Sequence, residues 1–429
     1  MKFSGKRLLM LGSNAGSLNI IRYAKSHGCY TIVVDNLPKE KSIVKKEADE
    51  CLLISTDDVK RLVELVKDRQ IDAVMAGISE FNILKAMETS EKSRLTYYCN
   101  RAQWDKIANK DQFRQLCLNY GVQCPQTYFV GTETPKIAWS ELKYPLVVKP
   151  VDGSASVGVN ICLNEEDLKV GITAALDASQ NGSIIIEEYV WGNEFTAHYT
   201  ISEGRASLSC VDNRYPVAVH SGNVTTIPAA RIYPSVYTGQ YIKSVNPAMI
   251  RLCESLNLEC GVVFVQGIYN PDVDQFWIFE GGLRSAAELP SRFLRIVNGV
   301  DYLQALVDYA LVGQTAFAHE KEDPFLGGKC CGIVSLVAKG GKVGRIIGLE
   351  KAVVSTPSVI EYERRYQVGS IVPDSNTLRQ LMIRFVMVCC TREQMADDVR
   401  YLYENIQVLD DNGNDMLIHL DPNRILNEF

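Results

Sequence analysis

Residues 144–163, YPLVVKPVDGSASVGVNICL, constrain this chain more than any other stretch. Leu146 to Val148 reads as a strand ending at Lys149, DGSASVG as a loop of small residues, and VNICL as a returning strand. Such a loop exposes backbone N–H groups with little side-chain bulk, which suits polyphosphate oxygens, and a lysine leaving the strand adds a point charge. Because the loop returns as a strand, it is a glycine loop carried on a hairpin. A P-loop would need G-x-x-x-x-G-K-S/T running into a helix. Taken alone, a plain β-turn explains the loop equally well.

The flanking sequence narrows the choice. In SIIIEEYVWGNEFT an apolar run delivers Glu187, Glu188, Tyr189 and Val190 into a connector, and Glu194 follows one bend later. A carboxylate beside an extended connector accepts from an exocyclic adenine amine while backbone groups read the ring edge, and a second carboxylate takes both ribose hydroxyls. GVVFVQGI and QFWIFEGGLR then form a hairpin around NPDVD, and the second strand ends in Glu280 and Arg284. A carboxylate at a strand end holds Mg²⁺ bridging phosphates, and a nearby arginine stabilises a transferring phosphoryl or acyl phosphate. A surface ion pair is the plain alternative for these two. Upstream, Asn109 caps a helix in which Phe113, Leu116 and Cys117 share a face, Gly121 ends it, and Pro125 starts an extended connection.

The first hundred residues alternate strand, turn and helix. RLLML and TIVVD read as strands, LNIIRYAKSHG as a helix, and DDVKRLVELVKDRQ as a helix with Val59, Leu62, Val63 and Val66 on one face before the strand IDAVMAG. This order implies a doubly wound parallel sheet. Gly12 followed by Asp35 is reminiscent of a dinucleotide fingerprint, but the G-x-G-x-x-G spacing fails, so NAD binding is the less favoured reading. Glu80, in GISEF after the third strand, either faces a substrate or is a solvated loop acid.

Composition bounds what remains. A chain of 429 residues exceeds one core and suggests about three domains. With 45 basic and 51 acidic residues the net charge is −6, which argues against nucleic-acid or anionic-membrane binding. The 13 cysteines are odd in number and lack any Cys-x-x-Cys, and there are only five histidines, so inert thiols in a reducing compartment are expected in place of zinc sites or disulfides. No run approaches the roughly 20 apolar residues of a membrane helix. The apolar stretch before Gly12 is short for a secretory signal. The expected location is the cytoplasm.

Lys110, the Lys149 strand with its DGSASVG loop, the connector from Glu187 to Glu194, and EGGLR resemble, in order and spacing, the ATP-grasp superfamily of carboxylate-amine ligases. That superfamily includes biotin carboxylase, D-alanine-D-alanine ligase, carbamoyl-phosphate synthetase large chains and L-amino-acid ligases. The resemblance covers nearly the whole chain. It implies an α/β and α+β fold: a pre-ATP-grasp doubly wound domain over 1–105, a two-lobed ATP-grasp domain over 106–320 with a small lid lobe at about 125–190, and a C-terminal α+β domain over 321–429 like that of L-amino-acid ligases. The implied cofactors are ATP and Mg²⁺, with Mn²⁺ able to substitute. The implied partners are a small carboxylate and a small amine, with no nucleic acid and no membrane. A homodimer is a further expectation, since the C-terminal domain would shape the substrate pocket or a dimer interface.

Carried over residue by residue, the resemblance makes Lys110 and Lys149 the lysines that contact ATP. It makes Gly153, Ser154, Ser156 and Gly158 part of the loop that closes over the phosphates. Glu187 becomes the adenine-amine acceptor, with Glu188 beside it, Tyr189 and Val190 the backbone contact, and Glu194 the ribose ligand. Glu280 becomes the carboxylate that bridges metal ions, and Arg284, with Lys149, the catalytic cation near the acyl phosphate. His220, Arg231 and Arg214, in the segment where relatives build the acceptor site, are the substrate candidates, Arg231 as a bidentate carboxylate clamp; loop residues facing water are the plain alternative. Two positions depart from the pattern. Gln266 stands where relatives carry a metal-binding acid, and Gly282 where they often carry asparagine. Gln266 remains a metal-ligand candidate through its amide oxygen, with Glu288 and Asp274 as substitute acids. The alternative function is a nucleotide-binding or degenerate ATP-grasp protein with little turnover. Residues 285–311 read as one amphipathic helix, and the remaining hundred show no catalytic cluster.

Overall fold

The computed structural model describes residues 1–132, 139–153, 157–218, 227–315 and 317–429. The N-terminal strands pair in parallel in the order Glu50–Leu53, Tyr30–Asp35, Arg7–Leu11, Ala73–Ala76. Their apolar side chains are buried on both faces, as a parallel sheet between helices requires. Asn14 caps the helix Ala15–Ser26 by accepting from the Ser17 N–H. In the helix Val59–Asp68 the buried face is Val59, Leu62, Leu65 and Val66. Leu65 therefore takes the place expected for Val63, because a stripe of period 3.6 drifts towards it.

The helix Lys110–Asn119 starts at Asn109, whose side chain accepts from the N–H groups of Asp111 and Gln112. Its buried face is Phe113 and Cys117, with Leu116 half-buried, and Gly121 turns the chain at φ 77°. An antiparallel sheet follows in the order Thr127–Gly131, Ile184–Glu188, Leu146–Pro150, Asn160–Cys162. The helix Glu165–Ala178 covers one face, packing Leu168, Ile172 and Ala175 on Leu146, Val148, Ile184 and Ile186. Strand alternation turns Val147, Lys149 and Glu187 to the other face.

A second antiparallel sheet runs Arg205–Val211, Asn193–Ser202, Cys260–Asn270, Gln275–Gly282. Phe195, Ala197, Tyr199 and Ile201 fill a core on one side, leaving Glu194, Thr196 and His198 on the other. The strands Asn213–Val217 and Ile227–Tyr233 join a different sheet, pairing on to Cys330–Ala338 and then to Leu381–Cys389 and Val359–Arg364. The stretch expected as one helix over 285–311 is two helices, Ser291–Val297 and Tyr302–Val312. Gly299 at φ 70° breaks it, and Asp301 recaps the second helix through the N–H groups of Leu303 and Gln304. The whole is a mixed α/β fold. All 13 cysteines carry free thiols. Among the described residues no helix is long and apolar enough to cross a membrane.

Candidate active site

A cleft of about 650 Å³ opens where these sheets meet. Lys110, Lys149, Gly153, Glu187, Glu188, Tyr189, Val190 and Glu194 all line it, as do Arg214, Arg231, Gln266, Glu280 and Arg284. Lys149 and Glu187 form an ion pair across neighbouring strands, 5% and 4% exposed. Arg114 approaches the other Glu187 oxygen at 3.7 Å, so two cations hold one buried carboxylate. Lys149 also lies over the Phe279 ring, 5.4 Å from its centroid. Lys110 donates to the Gly153 carbonyl at 2.5 Å and sits 4.0 Å from Glu280. Glu188 accepts from the Gln126 N–H at 2.8 Å, and Tyr189 donates its own N–H to the Pro145 carbonyl at 3.2 Å. Those two contacts pin the connector to the strand edges.

Further along, Glu194 pairs with Arg214 at 3.1 Å, and burial pulls the Arg214 pKa down against that pairing. Arg231 is enclosed: its guanidinium meets Asp212 at 2.9 Å, Thr196 Oγ1 at 2.7 Å and Glu288 at 3.1 Å. Burial acts to lower the Arg231 pKa, but Asp212 and Glu288 outweigh it and keep it charged. Burial acts to raise that of Glu288, yet Arg231 and Arg384 hold it down at about 2. His198 lies behind this network, fully enclosed, with burial lowering its pKa to about 3, so it is a neutral imidazole.

Arg284 is held by Glu80, with Nη2 at 2.8 Å and Nε at 3.1 Å from one carboxylate oxygen, and it stacks 4.9 Å from the Phe264 ring centroid. Glu80, at the first position of the helix Glu80–Lys92, thus faces the cleft and is not a solvated loop acid. Gly158 is absent from the cleft lining: at φ 76° a Cβ there would lie 2.6 Å from Ala178 Cβ, which makes it a turn glycine. Ser154, Ser156 and His220 lie outside the described residues. Arg114 went unremarked in the sequence, although its place one helical turn after Lys110 put it on the same face. Asn376, Thr377 and Leu378 also line the cleft, from a segment that carried no signal.

The family model described as D-ala D-ala ligase C-terminus matches residues 124–216. A carbamoyl phosphate synthase large chain from Saccharolobus islandicus is 23% identical over 308 residues, 65% of this chain and 28% of that protein. The chain therefore spans little more than a quarter of the length of such relatives. Among solved structures, the L-amino acid ligase from Bacillus licheniformis superposes with a TM-score of 0.77 at 16% identity, covering 95% of this chain and 100% of that one. The biotin carboxylase domain of the Hydrogenobacter thermophilus 2-oxoglutarate carboxylase gives 0.78 at 16% identity, covering 99% and 94%. The chain has the ATP-grasp fold.

Gln266 and Glu280, the two metal-ligand candidates, are direct cross-strand partners on the cleft. One carboxylate and one amide oxygen, both hard donors, suit a hard cation that also takes phosphate oxygens. They do not make an all-protein cage: among the described residues no group of three or more His, Cys, Asp or Glu could hold a metal. Neither substitute acid completes it. Asp274 sits in the hairpin turn, accepting from the Tyr269 hydroxyl at 2.6 Å, and Glu288 is committed to Arg231. Gly282 has a steric reason, since a Cβ there would lie 2.3 Å from Phe264 Cε1. The dinucleotide reading loses its acid as well, because Asp35 is bound by the buried Lys45 at 2.7 Å and by the Leu37 N–H at 2.8 Å.

Proposed function

We propose that the chain is an ATP-dependent carboxylate-amine ligase. The observation that carries this is the convergence of Lys110, Lys149 and Arg284 with the Gln266 and Glu280 pair on one cleft. A substrate carboxylate oxygen attacks the γ-phosphorus of ATP, the bond to the β,γ-bridging oxygen breaks, and ADP leaves an acyl phosphate. An amine nitrogen then attacks the acyl carbon, the C–N bond forms, the C–O bond to phosphate breaks, and the amine loses a proton as phosphate departs. Such chemistry needs positioned charge and exclusion of water more than a nucleophilic side chain.

Residue roles follow from position. Lys110 and Lys149 take phosphate oxygens, with Gly153 at the edge of the covering loop. Glu187 accepts from the adenine amine; since the Tyr189 N–H is spent on Pro145, the ring edge is read at Val190. Glu194 takes the ribose beside Arg214. Arg284, freed from Glu80 by a substrate, neutralises the acyl phosphate. Glu280 and Gln266 would hold Mg²⁺ or Mn²⁺, which supplies Lewis-acid neutralisation of phosphate charge when bound. Arg231 and Glu288, already paired with each other, form a polar wall against which the substrate lies, in place of a free carboxylate clamp. All of these roles fall in the middle of three units of about 1–105, 106–320 and 321–429, and its strands Asn213–Val217 and Ile227–Tyr233 pair into the sheet of the last.

The test is incubation of the protein with Mg·ATP and pooled carboxylates and amines. ADP and phosphate released only with particular acid and amine pairs are expected. ATP binding without turnover across broad pools would sink the reading in favour of a nucleotide-binding protein.

A further inference from the structure

The N-terminal unit also reaches the cleft. The loop leaving the strand Ala73–Ala76 and the first turn of the helix Glu80–Lys92 put Ile78, Ser79, Glu80 and Phe81 on its lining. That place, beyond the carboxyl end of a parallel strand, is where open α/β sheets receive ligands. Ser79 is spent as the helix cap, its hydroxyl accepting from the Asn82 N–H at 3.4 Å, so Glu80 is the one charged group this segment presents. Phe81 is 50% exposed and Ile78 half-buried, which gives the carboxylate apolar neighbours.

Six carboxylates line the cleft among the described residues, and five have other duties. Lys149 and Arg114 hold Glu187, the Gln126 N–H engages Glu188 on the adenine connector, and Arg214 pairs with Glu194. Glu280 is the metal candidate near Lys110, and Glu288 is buried against Arg231. The sixth is Glu80. Its side chain is 38% exposed, both Arg284 hydrogen bonds fall on Oε1, and Oε2 accepts none among the described residues. A cation can therefore reach it from the cleft. An acyl phosphate that draws Arg284 away removes the partner of Glu80 at the moment an amine is needed, and a carboxylate so released favours a replacement cation. Because Glu80 lies 2.8 Å from Arg284, an ammonium bound there stands next to the acyl group that Arg284 holds.

We infer that Glu80 binds the ammonium group of the amine substrate while Ile78 and Phe81 take an apolar body, which makes Glu80 a specificity-determining residue for the second step. This rests on the ligase reading for the identity of the cleft. The bound ammonium gives one proton to water, which frees the nitrogen lone pair for attack on the acyl carbon. Two readouts test the assignment on the full chain, in the native protein, Glu80→Gln and Glu80→Asp. In the first, ligand-observed NMR competition ranks phenethylammonium against the neutral phenethyl alcohol, with Mg²⁺, a non-hydrolysable ATP analogue and inorganic phosphate present, the phosphate serving to occupy Arg284. The native protein should prefer the ammonium by about tenfold or more, Glu80→Gln should lose that preference, and Glu80→Asp should keep part of it. In the second, pooled carboxylates receive Mg·ATP with phenethylamine and hydroxylamine together; hydroxylamine is largely uncharged at neutral pH and traps an acyl phosphate as a hydroxamate. The ratio of amide to hydroxamate should fall about tenfold or more in Glu80→Gln and recover in part in Glu80→Asp. Either an unchanged preference or an unchanged ratio in Glu80→Gln overturns the inference. Hydroxamate formed by a native protein that shows no ammonium preference refutes the inference alone. A Glu80-dependent ammonium preference with neither hydroxamate nor ADP release refutes the ligase reading alone.

Discussion

Lys149 tests the nucleotide end of the cleft most directly. Lys149→Ala should weaken ATP binding by the worth of a charge-assisted contact, on the order of 1.5 to 3 kcal/mol, or about 10- to 150-fold by calorimetry. Arg114 remains beside Glu187, so the fold should survive the loss. Unaltered affinity would count against the site. Gln266 tests the metal. Replacing its amide with a carboxylate, Gln266→Glu, places two acids on adjacent strands and should let Mn²⁺ bind before nucleotide does, which electron paramagnetic resonance of the free ion would register. No gain in nucleotide-independent binding would mean that residue 266 faces away from the ion. Lys149, Glu187, Glu280 and Arg284 were legible in the sequence because each stands at the end of an apolar run, where period and chemistry change together. Arg284's partner was not: Glu80 lies 204 residues away, and nothing local announces the pairing.

At the scale of elements, the segment His319–Lys321 is clasped to the strand Arg205–Val211. The Ser207 and Ser209 hydroxyls donate to Glu322, while His319 contacts Ser207 Oγ at 2.8 Å and donates through Nε2 to the Ser202 carbonyl at 3.0 Å. Burial pushes the Glu322 pKa from 4.5 to about 7, against the lowering effect of those hydroxyls. A carboxyl whose folded pKa is raised binds its proton more tightly when folded, so its contribution is complete below about pH 4.5 and is lost as pH rises through 7. Thermal midpoints of the native protein should therefore fall across that window more than those of Glu322→Gln; parallel curves would remove Glu322 from the account. The clasp was invisible in sequence, since its members come from a strand and a loop more than a hundred residues apart. The split of 285–311 was legible after the fact: Gly299 and Asp301 are the stop and start signals that the apolar period concealed.

For the whole molecule, the decisive feature is the sheet that joins Asn213–Val217 and Ile227–Tyr233 to strands beyond residue 330. Buried Ile232, Val334, Phe385 and Leu336 belong to that sheet, and its core includes Tyr215, Met395 and Leu402. Truncation after residue 320 would strip the Ile227–Tyr233 edge of its partner and expose that core, so the shortened chain should be insoluble or lack a cooperative melt by circular dichroism. A soluble, cooperatively folding fragment would show that the first 320 residues stand alone.

The sequence by itself determined the alternation of strands and helices, the caps, the glycine turns and the positions where charged residues leave apolar runs. Those depend on neighbours a few residues apart, where steric period and hydrogen-bonding choices act. Only the tertiary structure decided which charges meet: Arg231 between Asp212 and Glu288, Arg284 on Glu80, and Asp35 closed by Lys45. Those pairings follow from how separate sheets dock, and docking is driven by buried apolar area, which is non-directional and leaves no local mark at the charged residues it brings together.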